Sequence, residues 1–204
     1  MAAKRAGYVA AIGLLLCAAG TGVSPAAGPG LMVTGALTSQ PIGHFEFCKA
    51  SPQECSIAYR DEGPTQLDDA LMATISTVNF SVNHAIKPLN DRDIYGREEV
   101  WTYPDRGVGD CEDYVLEKRR KLNSAGFPLS SLLITVVRKP DGEGHAVLTV
   151  RTDRGDLILD NLNDEVKLWS HTSYRYLKRQ ASTHSGRWVT LRDDNNLLVG
   201  AVKK

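Results

Sequence analysis

Cys111, His145 and Asp160 are the residues whose types and order could do chemistry. They lie in "GDCED", "GHAVLTV" and "LILDN". A thiol, an imidazole and a carboxylate in that chain order make a nucleophile, a base and an orienter. Cys111 is flanked by Asp110 on one side and by Glu112 and Asp113 on the other. Those acids alone would hold a proton on the sulfur. A helix N-terminus is the local device that opposes them, because its unpaired N–H groups favour a thiolate. Asp110 reads as an N-cap, Asp113 occupies the capping-box position, and Cys111 is then the first helical residue. His145 opens a β-branched run after Gly142 and Gly144, and Asp160 closes the next apolar run. Spacing alone leaves other readings open. A histidine beside glycine is more often a loop histidine. If Arg154 and Gly155 make a two-residue turn, His145 pairs with Asp164 and Asp160 lies opposite Thr149. That offset is roughly 13 Å along a strand. A bulge, a longer turn or barrel-like shear closes it; otherwise Asp164 is the orienter.

The elements that must position these groups follow from periodicity. "PTQLDDALMATISTVNFSVNHAIKP" predicts a helix with Thr65 and Asp68 at capping-box spacing. Its Leu67, Leu71, Ile75, Val78, Val82 and Ile86 share a face, and Pro88 stops it. Residues 89–109 have no clear period and read as a loop. Residues 110–124 return to helix, with "EKRRK" toward the end where the helix dipole favours cations. Then the period changes. "SLLITVVR", "HAVLTVRT" and "DLILDNL" are short strands divided by "KPDGEG" and "DRGD", and "RWVTLRDD" predicts one more. Helices followed by antiparallel strands argue an α+β fold.

The compartment is read from the N-terminus. Lys4 and Arg5 precede an apolar run from Tyr8 to Ala19, and small residues Ser24, Ala26 and Ala27 follow. This is the pattern of a secretory signal peptide over residues 1–27, with an uncleaved anchor as the alternative. Cys17 lies within it and follows the bulky Leu16, so it reads as discarded with the peptide. Residues 28–204, roughly 175 in all, suit one domain with a sizeable core. Acids and bases balance at 24 each. No basic stripe or aromatic interleaving suggests nucleic acid. Three cysteines remain, and an odd count leaves one thiol over. Cys48 and Cys55 bracket the short segment "KASPQE" and predict a disulfide, with two free buried thiols as the alternative. Cys111 is the leftover.

"WTYPDRGVGDCEDYVLEKRRKL", "GHAVLTVRTDRGDLILDN", "FCKASPQEC" and the tail "YRYLKRQAS…RWV" resemble the bacterial transglutaminase-like cysteine proteinase family. The resemblance covers nearly the whole mature chain. It implies a papain/transglutaminase-like core, in which a helical part carrying the Cys helix packs on an antiparallel β-sheet. It also implies Cys111 as nucleophile, His145 as base and Asp160 as orienter. In the LapG branch of the family, acids flanking the cysteine help bind calcium, which corresponds to Asp110 and Glu112 here. Carboxylate oxygens suit Ca²⁺, and a cation there would cancel the negative field around the sulfur. The plainer reading leaves Asp110 as a cap and Glu112 in solvent.

The remaining polar residues take ordinary readings. His44, His84, His171 and His184 lack ligand spacing and read as surface or loop residues. Trp101, Trp169 and Trp188 read as core or cleft wall. Lys118 to Lys121 read as a solvated helix face. An oxyanion hole would use the Cys111 backbone N–H and a donor from residues 89–109. The leading expectation is an exported, periplasmic cysteine peptidase working through a thioester on a protein of the cell envelope. In the LapG branch the substrate is a cell-surface adhesin and an inner-membrane receptor holds the enzyme, so the resemblance offers both as candidate partners, while the sequence itself names neither. The alternatives are a transglutaminase or protein deamidase with the same triad, or a catalytically silent binding module of this fold.

Overall fold

The computed structural model describes residues 30–192, together with Met1. The expected signal peptide lies outside the described residues. Among the described residues no helix is long and apolar enough to cross a membrane.

The described residues open with strand β1 (Thr34–Thr38), then helices α1 (Ile42–Ala50), α2 (Pro52–Cys55) and α3 (Asp69–Ala85). Next come β2 (Lys87–Pro88), α4 (Asp91–Tyr95), β3 (Val108–Gly109) and α5 (Cys111–Ser124). Six strands complete it: β4 (Leu132–Arg138), β5 (Gly144–Thr152), β6 (Gly155–Asp160), β7 (Asn163–Leu168), β8 (Arg175–Ala181) and β9 (His184–Leu191). Seven strands form one antiparallel sheet in the order β1-β9-β8-β4-β5-β6-β7. Helix α5 packs on β5, β4 and β6, and α3 covers α5 and β7. The main core lies between these layers, with Ile75, Leu116, Leu122, Phe127, Leu148 and Trp188 fully buried. The α+β expectation therefore holds.

Several local expectations are corrected. The cap of α3 is Asp68 itself, whose Oδ1 accepts the Leu71 N–H at 2.7 Å. Thr65 instead pairs beside β5 at Thr152. Residues 89–109 are only partly a loop. They hold α4 and β3, and β3 pairs in parallel with β2, which lies just before the segment. The expected solvated face Lys118–Lys121 is also divided. Lys118 and Arg119 are buried, because α5 has the sheet on one side and α3 on the other. Arg119 is satisfied by the Leu132 carbonyl and the Tyr59 hydroxyl. His44 is buried, not on the surface: it sits among Phe47, Trp101 and Trp188 and receives the Trp188 indole N–H at 3.2 Å. Burial, with the Arg119 charge, lowers its pKa to about 4, so it is neutral.

The Cys48–Cys55 disulfide is formed and joins α1 to α2. Cys111 is the free cysteine of the described residues.

The β5–β6 hairpin resolves the register problem. Thr152 pairs with Gly155, so the turn residues are Asp153 and Arg154, not Arg154 and Gly155. Gly155 takes φ +117°, a conformation glycine adopts at little steric cost. The ladder reaches Leu148 opposite Leu159. Continued one step, it sets Asp160 opposite Val147, two residues from His145 rather than four. Diagonal side chains on one face of a sheet can meet across that offset.

Candidate active site

Helix α5 starts at Cys111 because Asp110 is extended, with φ −115° and ψ −162°. The expected capping box does not form. Asp110 makes no side-chain cap bond; its Oδ2 accepts the Asp91 N–H at 3.4 Å. Asp113 Oδ1 accepts the Thr102 N–H at 2.8 Å instead of reaching back to the cap. Asp113 lies so close to Gly109 that a Cβ there would meet Asp113 Oδ2 at 2.5 Å. The Cys111 thiol is half-buried and donates to Glu112 Oε2 at 3.2 Å. Burial and the Glu112 and Asp110 charges push its pKa well up, while the Ala146 backbone N–H pulls the other way.

His145 and Asp160 are both buried. His145 Nε2 and Asp160 Oδ1 are 2.9 Å apart. With a carboxylate as acceptor, Nε2 carries the proton and Nδ1 is left as the free basic nitrogen. Asp160 Oδ1 also accepts the Leu162 N–H at 3.0 Å, and Oδ2 accepts the Tyr174 hydroxyl at 2.6 Å. Burial opposes the Asp160 charge. The donors from His145, Tyr174 and Leu162 outweigh it and hold the carboxyl below its ordinary value. The rival, Asp164, faces outward and pairs with His84 and Asn83.

The acids form a second feature. Oxygens of Asp91, Asp110 and Asp113 lie within 4.8 Å of one another. One oxygen of each, Asp91 Oδ1, Asp110 Oδ1 and Asp113 Oδ2, is buried without a hydrogen-bond partner. Such orphans are costly unless a cation or proton meets them. Burial, then neighbouring acids, raises Asp91, takes Asp113 to about 7 and raises Glu112 well above its usual range. A hard, multi-oxygen site of this composition fits Ca²⁺. Of the two expected ligands, Asp110 belongs to the orphan set and Glu112 lies beside it, next to the thiol. Asp91 was missed because it stands in the segment without period. Asp113 was read as a cap because caps and cation sites use the same residue type. Tyr174 was missed too: the tail that holds it carried no chemical signal of its own.

Cys111, Glu112, Gly144 and His145 share a cleft of about 630 Å³ whose other wall includes Asp91, Asp110 and Leu162. A neighbouring pocket of about 400 Å³, also lined by Cys111 and His145, adds Pro41, Ile42, Trp101 and Val136. Residues 89–109 thus contribute much of the cleft wall.

A helix that begins at a thiol, laid on an antiparallel sheet whose adjacent strands carry an imidazole and its carboxylate partner, defines the transglutaminase-like class of cysteine proteinases. Residues 34–196 match the bacterial transglutaminase-like cysteine proteinases, and the chain belongs to that family. Among solved structures it is similar to Legionella pneumophila LapG, at 25% identity and TM-score 0.50 over 63% of this chain and 74% of that one. Calcium-bound LapG matches at 26% identity and TM-score 0.48, over 54% and 68%. EGTA-treated LapG matches at 24% and 0.50, over 63% and 74%. Comparison with curated proteins gave no match.

Proposed function

We propose that this cysteine proteinase is an exported peptidase of the cell envelope, acting through Cys111, His145 and Asp160. The observation that carries the reading is the buried His145–Asp160 pair at 2.9 Å, whose His145 lines one cleft with a free thiol at a helix start. Asp160 holds His145 in the tautomer that leaves Nδ1 basic. Nδ1 takes the Cys111 proton, and the thiolate attacks a substrate carbonyl. His145 returns the proton to the leaving amine, and a thioester remains. Water, deprotonated by His145, then releases the acid and regenerates the thiol.

Asp91, Asp110 and Asp113, with Glu112 beside them, are the residues that would hold Ca²⁺. The bound ion would cancel the negative field that keeps the Cys111 proton in place. Export is supported by the leader-like N-terminus and by the Cys48–Cys55 disulfide, which suits an oxidising compartment. A cell-surface adhesin as substrate and an inner-membrane receptor as partner follow from the family resemblance.

The test is alkylation of Cys111 by iodoacetamide at neutral pH with calcium present. The wild type reacts rapidly and His145→Ala slowly. Equal rates would remove His145 as the base.

A further inference from the structure

We propose that Tyr174 is a positioning residue of this site, acting through Asp160 on His145; the inference rests on the function proposed above. Tyr174 touches both partners. Its hydroxyl donates to Asp160 Oδ2 at 2.6 Å, and its ring tilts 62° against His145 with centroids 5.7 Å apart.

The need for it follows from the carboxylate. Asp160 Oδ1 is committed to the His145 N–H and the Leu162 N–H. Oδ2 has Tyr174. The terminal torsion of an aspartate is broad and roughly two-fold, so a carboxylate held at one oxygen can swing or exchange oxygens. A donor on the second oxygen fixes its plane and, through it, the imidazole. Removing that donor would also leave a buried acceptor unsatisfied, which is costly. The phenol remains a donor, because burial and the hydrogen bond to Asp160 push its pKa well up.

Tyr174 comes from neither strand of the pair it serves. It lies between the short turn Trp169–His171 and β8, and that connection is braced. Trp169 Nε1 donates to the Gly30 carbonyl at 2.9 Å. Thr172 Oγ1 bonds the Trp169 carbonyl at 2.8 Å and lies 2.9 Å from the Tyr176 hydroxyl. A third segment thereby locks the alignment of β5 and β6 at the site. Simple packing is the competing role, since Tyr174 also lies against a small cluster containing Tyr176 and Ile158.

Tyr174→Phe separates the two roles, because it keeps the ring and removes the donor. The full chain, with calcium throughout, is assayed for Cys111 alkylation by iodoacetamide, for the His145 imidazole N–H proton resonance, and for thermal midpoint. Tyr174→Phe is expected to slow alkylation roughly 10-fold, as for a lost hydrogen bond to a charged group. It should move the resonance with little change in midpoint. A fluorotyrosine at position 174, a stronger donor of the same shape, should move the resonance in the opposite direction and serves if the phenylalanine variant folds poorly. An unchanged rate and resonance in Tyr174→Phe, with alkylation slowed in Asp160→Asn, would overturn the role of Tyr174 and leave the site reading standing. Wild-type alkylation in Asp160→Asn would overturn the site reading and the role of Tyr174 with it.

Discussion

Asp160 and Asp164 lie one short turn apart and differ in everything an orienter needs. Asp160 is buried and takes three donors on its two oxygens. Asp164 is exposed and pairs with an exposed histidine. Asp160→Asn should therefore cost activity heavily, on the order of 10⁴-fold as in the serine-protease precedent, with the fold kept. Asp164→Asn should be nearly silent. Paired kinetics, with circular dichroism as the folding control, check both; a dead Asp164→Asn beside an active Asp160→Asn would reverse the assignment. The three residue types were legible because each stood at the edge of an element. Their pairing was not, because a hairpin shifted by one position at each turn residue changes the offset by two. Only the observed turn at Asp153 and Arg154 removes the misfit.

At the scale of the element, the start of α5 was placed correctly and its electrostatics were misread. Asp110 does precede the first helical residue, yet no acid there closes a cap. Without a cation the raised carboxyls hold protons in the folded state more tightly than when unfolded. The stability they provide is complete below about pH 4 and is lost as pH rises through about 7, where Asp113 titrates. Chelated protein should thus weaken over that interval. At pH 7, calcium at 100 times its Kd should add about 2.7 kcal/mol and raise Tm by roughly 5–10 °C. Magnesium should do less, since it demands tighter octahedral geometry. A calcium-independent Tm and full activity in excess chelator would return these acids to ordinary roles.

Further along α5, Lys118 was read as solvated because a run of cations suggests a surface. Its ammonium is buried 5.9 Å from the Tyr114 ring centre and has no hydrogen-bond partner. Burial lowers its pKa to about 7, so the unfolded chain binds more protons between there and 10.5. Its contribution makes stability rise with pH across that interval. Lys118→Met should flatten the rise and unfold at higher urea at pH 7. An unchanged midpoint would show that the ammonium is better solvated than its surroundings suggest.

For the whole molecule, helices α3 and α5 and strands β4 to β6 and β9 were legible from apolar periodicity, β-branched runs and turn residues, whereas α1, α2, α4 and β1 were not. Nor were strands β7 and β8. "NDEVKL" and "RYLKRQA" carry mixed polar residues, and their pairing comes from sheet neighbours rather than local propensity. The disulfide was legible from cysteine count and spacing, and thiol titration of a denatured, unreduced chain spanning residues 28–204 should find one reactive group. A count of three would remove the bridge. The central claim is that this chain hydrolyses peptide bonds in the envelope through Cys111. It is tested most directly by mapping protein N-termini in envelope fractions of the native host carrying the wild type, Cys111→Ala or Asp160→Asn. The account predicts at least one envelope protein with a new terminus in the wild type that both variants lose. The same termini in all three, with ammonia release that depends on Cys111, would contradict peptide-bond cleavage and make the enzyme a deamidase, which hydrolyses a side-chain amide.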